Sequence, residues 1–88
     1  PGRDSAIRLL NKGVIDFNGN RMAGALTAFQ NAEKADPTLA KTQYMLAVTY
    51  ANLEDKARAV EHLGKFLEMA PEDQDAETAK AMLEELKK

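Results

Sequence analysis

Apolar residues recur at spacings of three and four along most of this 88-residue chain, the period of amphipathic helices rather than the alternation of strands. Five segments can be read in this way. Asp4-Ser5 offers an N-cap to the first, in which Ile7, Leu9, Leu10, Val14 and Phe17 form a broad apolar face as far as Asn18, and Gly19-Asn20 breaks it. The second carries Met22, Ala25, Leu26, Phe29 and Ala32 and stops at Asp36-Pro37, because proline has no amide hydrogen and disfavours helix in the residue before it. Thr38 is placed to cap the third, with Tyr44, Leu46, Ala47, Val48 and Tyr50 as its apolar positions and an end near Asn52-Leu53. Asp55 is placed to cap the fourth, which carries Ala59, Val60, Leu63, Phe66 and Leu67 up to Ala70-Pro71. The last is expected to start from Asp73 and to turn Ala76, Ala79, Met82, Leu83 and Leu86 toward the body. Its acidic first turn and the closing Lys87-Lys88 suit the helix dipole. Linkers of two to four residues make neighbouring helices antiparallel. The expectation is an all-α chain of two helix hairpins and a single helix.

Pro37 and Pro71 mark out an interval at which similar residues recur in phase: Ala25 with Ala59, Leu26 with Val60, Asn18 with Asn52, Phe17 with Ala51. A fixed period in the range of about 20–50 residues marks a stacked-repeat architecture. In that register Gly13 and Ala47 take the small place at which the two helices of a hairpin approach closely, and Ala25 and Ala59 take its other half. Phe29 and Leu63 take a large place, and Leu46 and Tyr50 two more in the second unit. With these residues the chain resembles the tetratricopeptide repeat family, as two repeats over 6–39 and 40–73 and a capping helix over 74–88. The resemblance implies an α-α superhelical solenoid. Lys12 and Asp16 depart from the pattern where large apolar residues are usual, and Phe66 departs where a small one is. A carboxylate on a packing face is costly unless paired. Exposure at an end repeat is the expected explanation for Asp16, with pairing to Arg21 or Lys12 as the alternative.

The resemblance also implies a role: a scaffold or adaptor that holds a protein or peptide in a concave groove lined by the first helix of each pair. Its groove positions fall on Leu10, Val14, Phe17 and Asn18 in the first repeat and on Tyr44, Val48, Ala51 and Asn52 in the second, with Thr78 and Met82 from the last helix. Such a strip, apolar and aromatic with an amide at the end of each repeat, suits an amphipathic helix or an apolar peptide. The alternative for these side chains is packing on one another. Asn18 and Asn52 would hold a peptide backbone or simply close their helices before a turn. Some co-chaperones of this fold grip C-terminal carboxylates with Lys, Asn and Arg, but the matching places hold Leu10, Val14, Met45, Asp75 and Ala79. None of these supplies the charge-assisted bonds a carboxylate needs, so that ligand class is excluded. A second possibility is self-association, or stacking in a homo-oligomer or longer array, through an unpartnered end carrying Ile7, Leu10 and Met22.

Composition narrows the rest. Twelve Lys and Arg among fourteen Asp and Glu, for a formal charge of −2, form no basic stripe for nucleic acid. No apolar run reaches the length of a membrane span, and the given residues open with no signal-peptide pattern. Pro1-Gly2 reads as the start of an excised segment, so the soluble parent is expected in cytoplasm or periplasm without a choice between them. There is no cysteine, which removes thiol catalysis and cysteine-based metal sites. His62 is the one histidine, with no second at helical spacing, and reads as a surface residue of its helix. Asp73-x-Asp75-x-Glu77 brushes a calcium-loop pattern, but Thr78 stands where that loop requires glycine. No cofactor, metal or catalytic group is expected, and the chain is read as a non-enzyme.

Overall fold

The computed structural model describes residues 2–88. Five helices follow one another: α1 (Gly2–Asn18), α2 (Met22–Ala35), α3 (Ala40–Asn52), α4 (Lys56–Met69) and α5 (Ala76–Leu86). There is no strand among the described residues. α1 packs on α2 and α3 on α4, while α3 stacks on α2 and α5 on α4. Two hairpins and a fifth helix are thus layered in chain order, an α-helical repeat arrangement with principal extents of 38 × 27 × 19 Å.

The repeat is written into the backbone. At the α1–α2 turn, Asn20 donates its N–H to Phe17 and Arg21 to Asp16. At the α3–α4 turn, the equivalent residues of the second unit do the same, Glu54 donating to Ala51 and Asp55 to Tyr50. These paired bonds, over a residue with positive φ, define the Schellman ending of a helix. The other junction repeats as well: Asp36 to Ala32, Leu39 to Asp36 and Thr42 to Leu39 recur as Ala70 to Phe66, Asp73 to Ala70 and Ala76 to Asp73.

Helix starts differ from the expected caps. α1 begins at Gly2, so Asp4 and Ser5 lie inside its first turn, where a carboxylate still favours the dipole. Leu39, not Thr38, precedes α3, and no side chain caps it. Thr38 instead donates its hydroxyl and its N–H to Asp36 Oδ1, at 2.6 and 3.0 Å. Asp73 behaves alike, accepting the Asp75 N–H at 2.8 Å, so α5 starts only at Ala76 with Glu77 as the one acidic residue of its first turn. In both cases the side chain serves the turn after proline rather than the helix. Asp55 does cap α4, accepting the Arg58 N–H at 3.1 Å.

Small residues set the hairpin spacing. Ala25, Ala47 and Ala59 are fully buried, and a Cβ on Gly13 would lie 2.4 Å from the Phe29 ring. One core cluster gathers Leu10, Phe29, Met45, Leu46 and Tyr50, and a second gathers Ala47, Leu63, Phe66 and Ala79. Phe66, large where a small residue was expected, is taken up by Tyr44, whose ring lies 5.2 Å away and tilted by 50°.

Asp16 is not exposed. It is 9% accessible and held by Lys12 Nζ at 2.9 Å and Arg21 Nε at 3.1 Å. The bonds from Lys12 and then Arg21 keep its carboxyl below the ordinary range, against a smaller opposing effect of burial. The expectation of exposure is therefore corrected: pairing permits a carboxylate on this face. Gly24 makes room for it, since a Cβ there would approach Asp16 Oδ2 to 3.0 Å.

Candidate functional site: an apolar groove between α3 and α5

Helices α1, α3 and α5 each open a layer of the stack, and their facing sides carry the residues singled out in the sequence. Leu10 belongs to the core, at 8% exposure. Val14, Phe17, Tyr44, Val48 and Ala51 are half-buried and lean on that core. Asn18 and Asn52 are exposed at the last residues of α1 and α3. The residues in the left-handed conformation are Asn20 and Glu54, two places further on.

The concave space lies one layer along, between α3 and α5. It is a groove of about 330 Å³ lined by Ala51, Thr78, Ala81, Met82, Glu85 and Leu86. Ala51, Thr78 and Met82 come together there as their positions implied; Ala81, Glu85 and Leu86 had not been singled out. The signal for them was available, because Thr78, Ala81, Met82, Glu85 and Leu86 follow the three- and four-residue spacing of one helix face. Leu86 reaches both core clusters and Met82 the second, so the wall is backed by packed side chains. Glu85 is the one charged lining residue, and Lys88 Nζ lies 3.2 Å from it. Tyr44 flanks the same layer, its hydroxyl pushed toward higher pKa by burial and then by the Asp75 charge.

Behind α3 lies a largely buried polar chain that ends at the half-buried Glu33. Gln43 donates Nε2 to Glu33 Oε2 at 2.6 Å, and Gln43 Oε1 lies 2.6 Å from His62 Nδ1. A carboxylate only accepts, so the amide presents its oxygen to the imidazole and Nδ1 must be the donor. His62 is 8% exposed and stacks on Tyr50 at 5.5 Å and 11°. Arg58 also lies over the Tyr50 ring, 5.9 Å from its centre. The expectation of a surface histidine is corrected: His62 is buried against α3 of its own hairpin, and its Nδ1 is satisfied there by Gln43.

Among the described residues no cluster of His, Asp and Glu is placed to hold a metal ion, and no helix is long and apolar enough to cross a membrane. No curated protein matches the chain. A family profile described as regulator of microtubule dynamics protein 1-3 matches residues 20–88, from the first interhelical turn through α5 and more than three quarters of the length. The chain belongs to the regulator of microtubule dynamics protein 1-3 family.

Proposed function

We propose that this chain is a tetratricopeptide-like interaction module that takes the apolar face of a helix, or an apolar peptide segment, from a protein partner in the groove between α3 and α5. One observation carries the reading: a preformed groove of about 330 Å³ whose lining is alkyl and thioether but for Thr78 and Glu85. Transfer of apolar surface into such a groove is favourable at about 25 cal/mol per Å² before the costs of association. An acidic peptide is disfavoured by Glu85 and the nearby Asp75, which agrees with the absence of the basic residues a carboxylate clamp needs. The family's description points to a setting in the regulation of microtubule dynamics, so the proposed partner is a protein acting in that process. The module binds rather than catalyses in this reading, for its one histidine is engaged with Gln43.

The test is capture from cell extract by the unmodified chain and by Met82→Lys, with helicity checked by circular dichroism. A partner retained by the first and lost from the second supports the groove. An identical set from both chains moves the site elsewhere. If the purified partner and module leave tubulin filament growth and shrinkage unchanged, the microtubule setting fails while the groove reading stands.

A further inference from the structure

The two ends of the stack differ in charge. At the α1 end, Arg8 makes no ion pair among the described residues. Lys12 and Arg21, although bonded to Asp16, keep about two thirds of their side-chain surface open (65% and 60%). Arg8, Lys12 and Ile15 follow one helical stripe of α1, and Ile15, at 64%, is the most exposed large apolar residue. Beside this stripe runs a second cleft of about 390 Å³, where Leu9 and Lys12 face Ala23, Gly24, Thr27 and Ala28 of α2. Its α2 wall carries small uncharged side chains, which permit close approach of another backbone. At the opposite end, the turn before α5 and its first residues carry Glu72, Asp73 and Glu77, all exposed. Glu77 has only a loose contact with Lys80, at 3.8 Å.

We infer that the α1–α2 cleft receives the acidic α4–α5 turn and first turn of α5 from a second copy of this chain, giving head-to-tail assembly along the stack. The basic stripe meets carboxylates that have no close ion pair of their own, while Leu9 and Ile15 lose exposure to water. The groove between α3 and α5 is not used, so this assembly does not depend on the proposed function. Each copy keeps one free end of each kind, so the contact is heterologous and open-ended rather than a closed dimer. The contact rests on a few exposed side chains and on opposite charge, so association is weak and salt-sensitive.

The test is sedimentation equilibrium of the whole 88-residue chain. In low salt the apparent mass should rise above 9.7 kDa between about 10 µM and about 1 mM, and return to that value near 0.5 M salt, where the screening length is only a few ångströms. Arg8→Glu/Thr27→Glu reverses the basic end without touching the Asp16 pairs, and Glu72→Lys/Glu77→Lys reverses the other. Each variant alone should stay monomeric, and an equimolar mixture should regain association because reversed ends again meet opposite charge. A wild-type chain that stays at the monomer mass throughout overturns the inference. So does association that survives either reversal, persists in high salt, or fails to return on mixing folded variants.

Discussion

Asn20 and Glu54, equivalent residues of the two hairpins, are the two described residues other than glycine with positive φ, and both sit at 62°. Each takes the left-handed place at the end of the first helix of its hairpin. Asparagine enters that region readily, whereas glutamate places its Cβ against a carbonyl at roughly 1–2 kcal/mol. Glu54→Asn should therefore stabilise the chain by about 0.5–1 kcal/mol, or a few degrees in melting temperature for a domain of this size. Asn20→Gly should change it much less. Thermal unfolding of both variants reads the difference, and equal shifts would show that the two turns do not share the constraint.

Two helical glycines make opposite demands. The missing Cβ of Gly13 keeps α1 against the Phe29 ring, and Phe29 is fully buried and has nowhere to go. Gly13→Ala should gain about 1 kcal/mol of helix propensity but lose about 1–3 kcal/mol to overpacking, for a net loss. Gly64 has nothing within 4 Å of the place its Cβ would take. Gly64→Ala keeps the gain alone and should stabilise by up to about 1 kcal/mol. Urea midpoints of the pair should move in opposite directions.

Acid should weaken the fold in two separate windows. Burial pushes the His62 imidazole below its usual 6.5, with Glu33 opposing from across Gln43. A base whose folded pKa is depressed binds more protons when unfolded, so this stabilisation is complete above about 6.5 and is lost as pH falls below it. Asp36 is held down to about 2, first by the Thr38 hydroxyl, then by the Thr38 N–H and Arg3. Its contribution is present above its ordinary 3.8 and is lost as pH falls toward 2. Melting temperatures across pH 8 to 2 should show both declines. His62→Phe should remove the upper one and Asp36→Ala should reduce the lower one; an unchanged upper decline in His62→Phe would assign it to another group.

Tyr44 separates binding from folding. Its ring packs on Phe66 and leans on both core clusters, so Tyr44→Ala should cost about 1–3 kcal/mol, part of the loss for a fully buried aromatic. Met82→Lys, half-buried on the α5 wall, should affect partner capture more than melting. Loss of capture in Tyr44→Ala alone would report loosened packing rather than lost contact.

The repeat was legible because proline, small residues and helix period all act locally, and each leaves its mark at a fixed position. The burial of Asp16 and His62 is harder to read locally because it depends on partners reached only after folding, although Lys12 and Arg21 are within reach of Asp16 as the alternative reading has it. Lys12 is one turn away, but Arg21 lies beyond the turn, and Gln43 belongs to another helix. Part of the groove follows from sequence position, since Ala51, Thr78 and Met82 line it together. Leu10, Val14 and Tyr44 occupy positions that can line a concave face, yet packing within the layers draws them against the core, and the open space forms where α5 meets α3. Ala81, Glu85 and Leu86 complete that wall from a helix whose period was visible but whose spacing from α3 was not.

α5 packs chiefly on α4, while each helix of the first three has substantial contacts on at least two sides or along a full hairpin. It also supplies five of the six residues that line the groove. The wall that a ligand would touch most is therefore the element with the lowest expected cost of local opening. Occupancy would act as a clasp on the end of the stack, slowing amide exchange along α5 before it changed anything in α1 or α2.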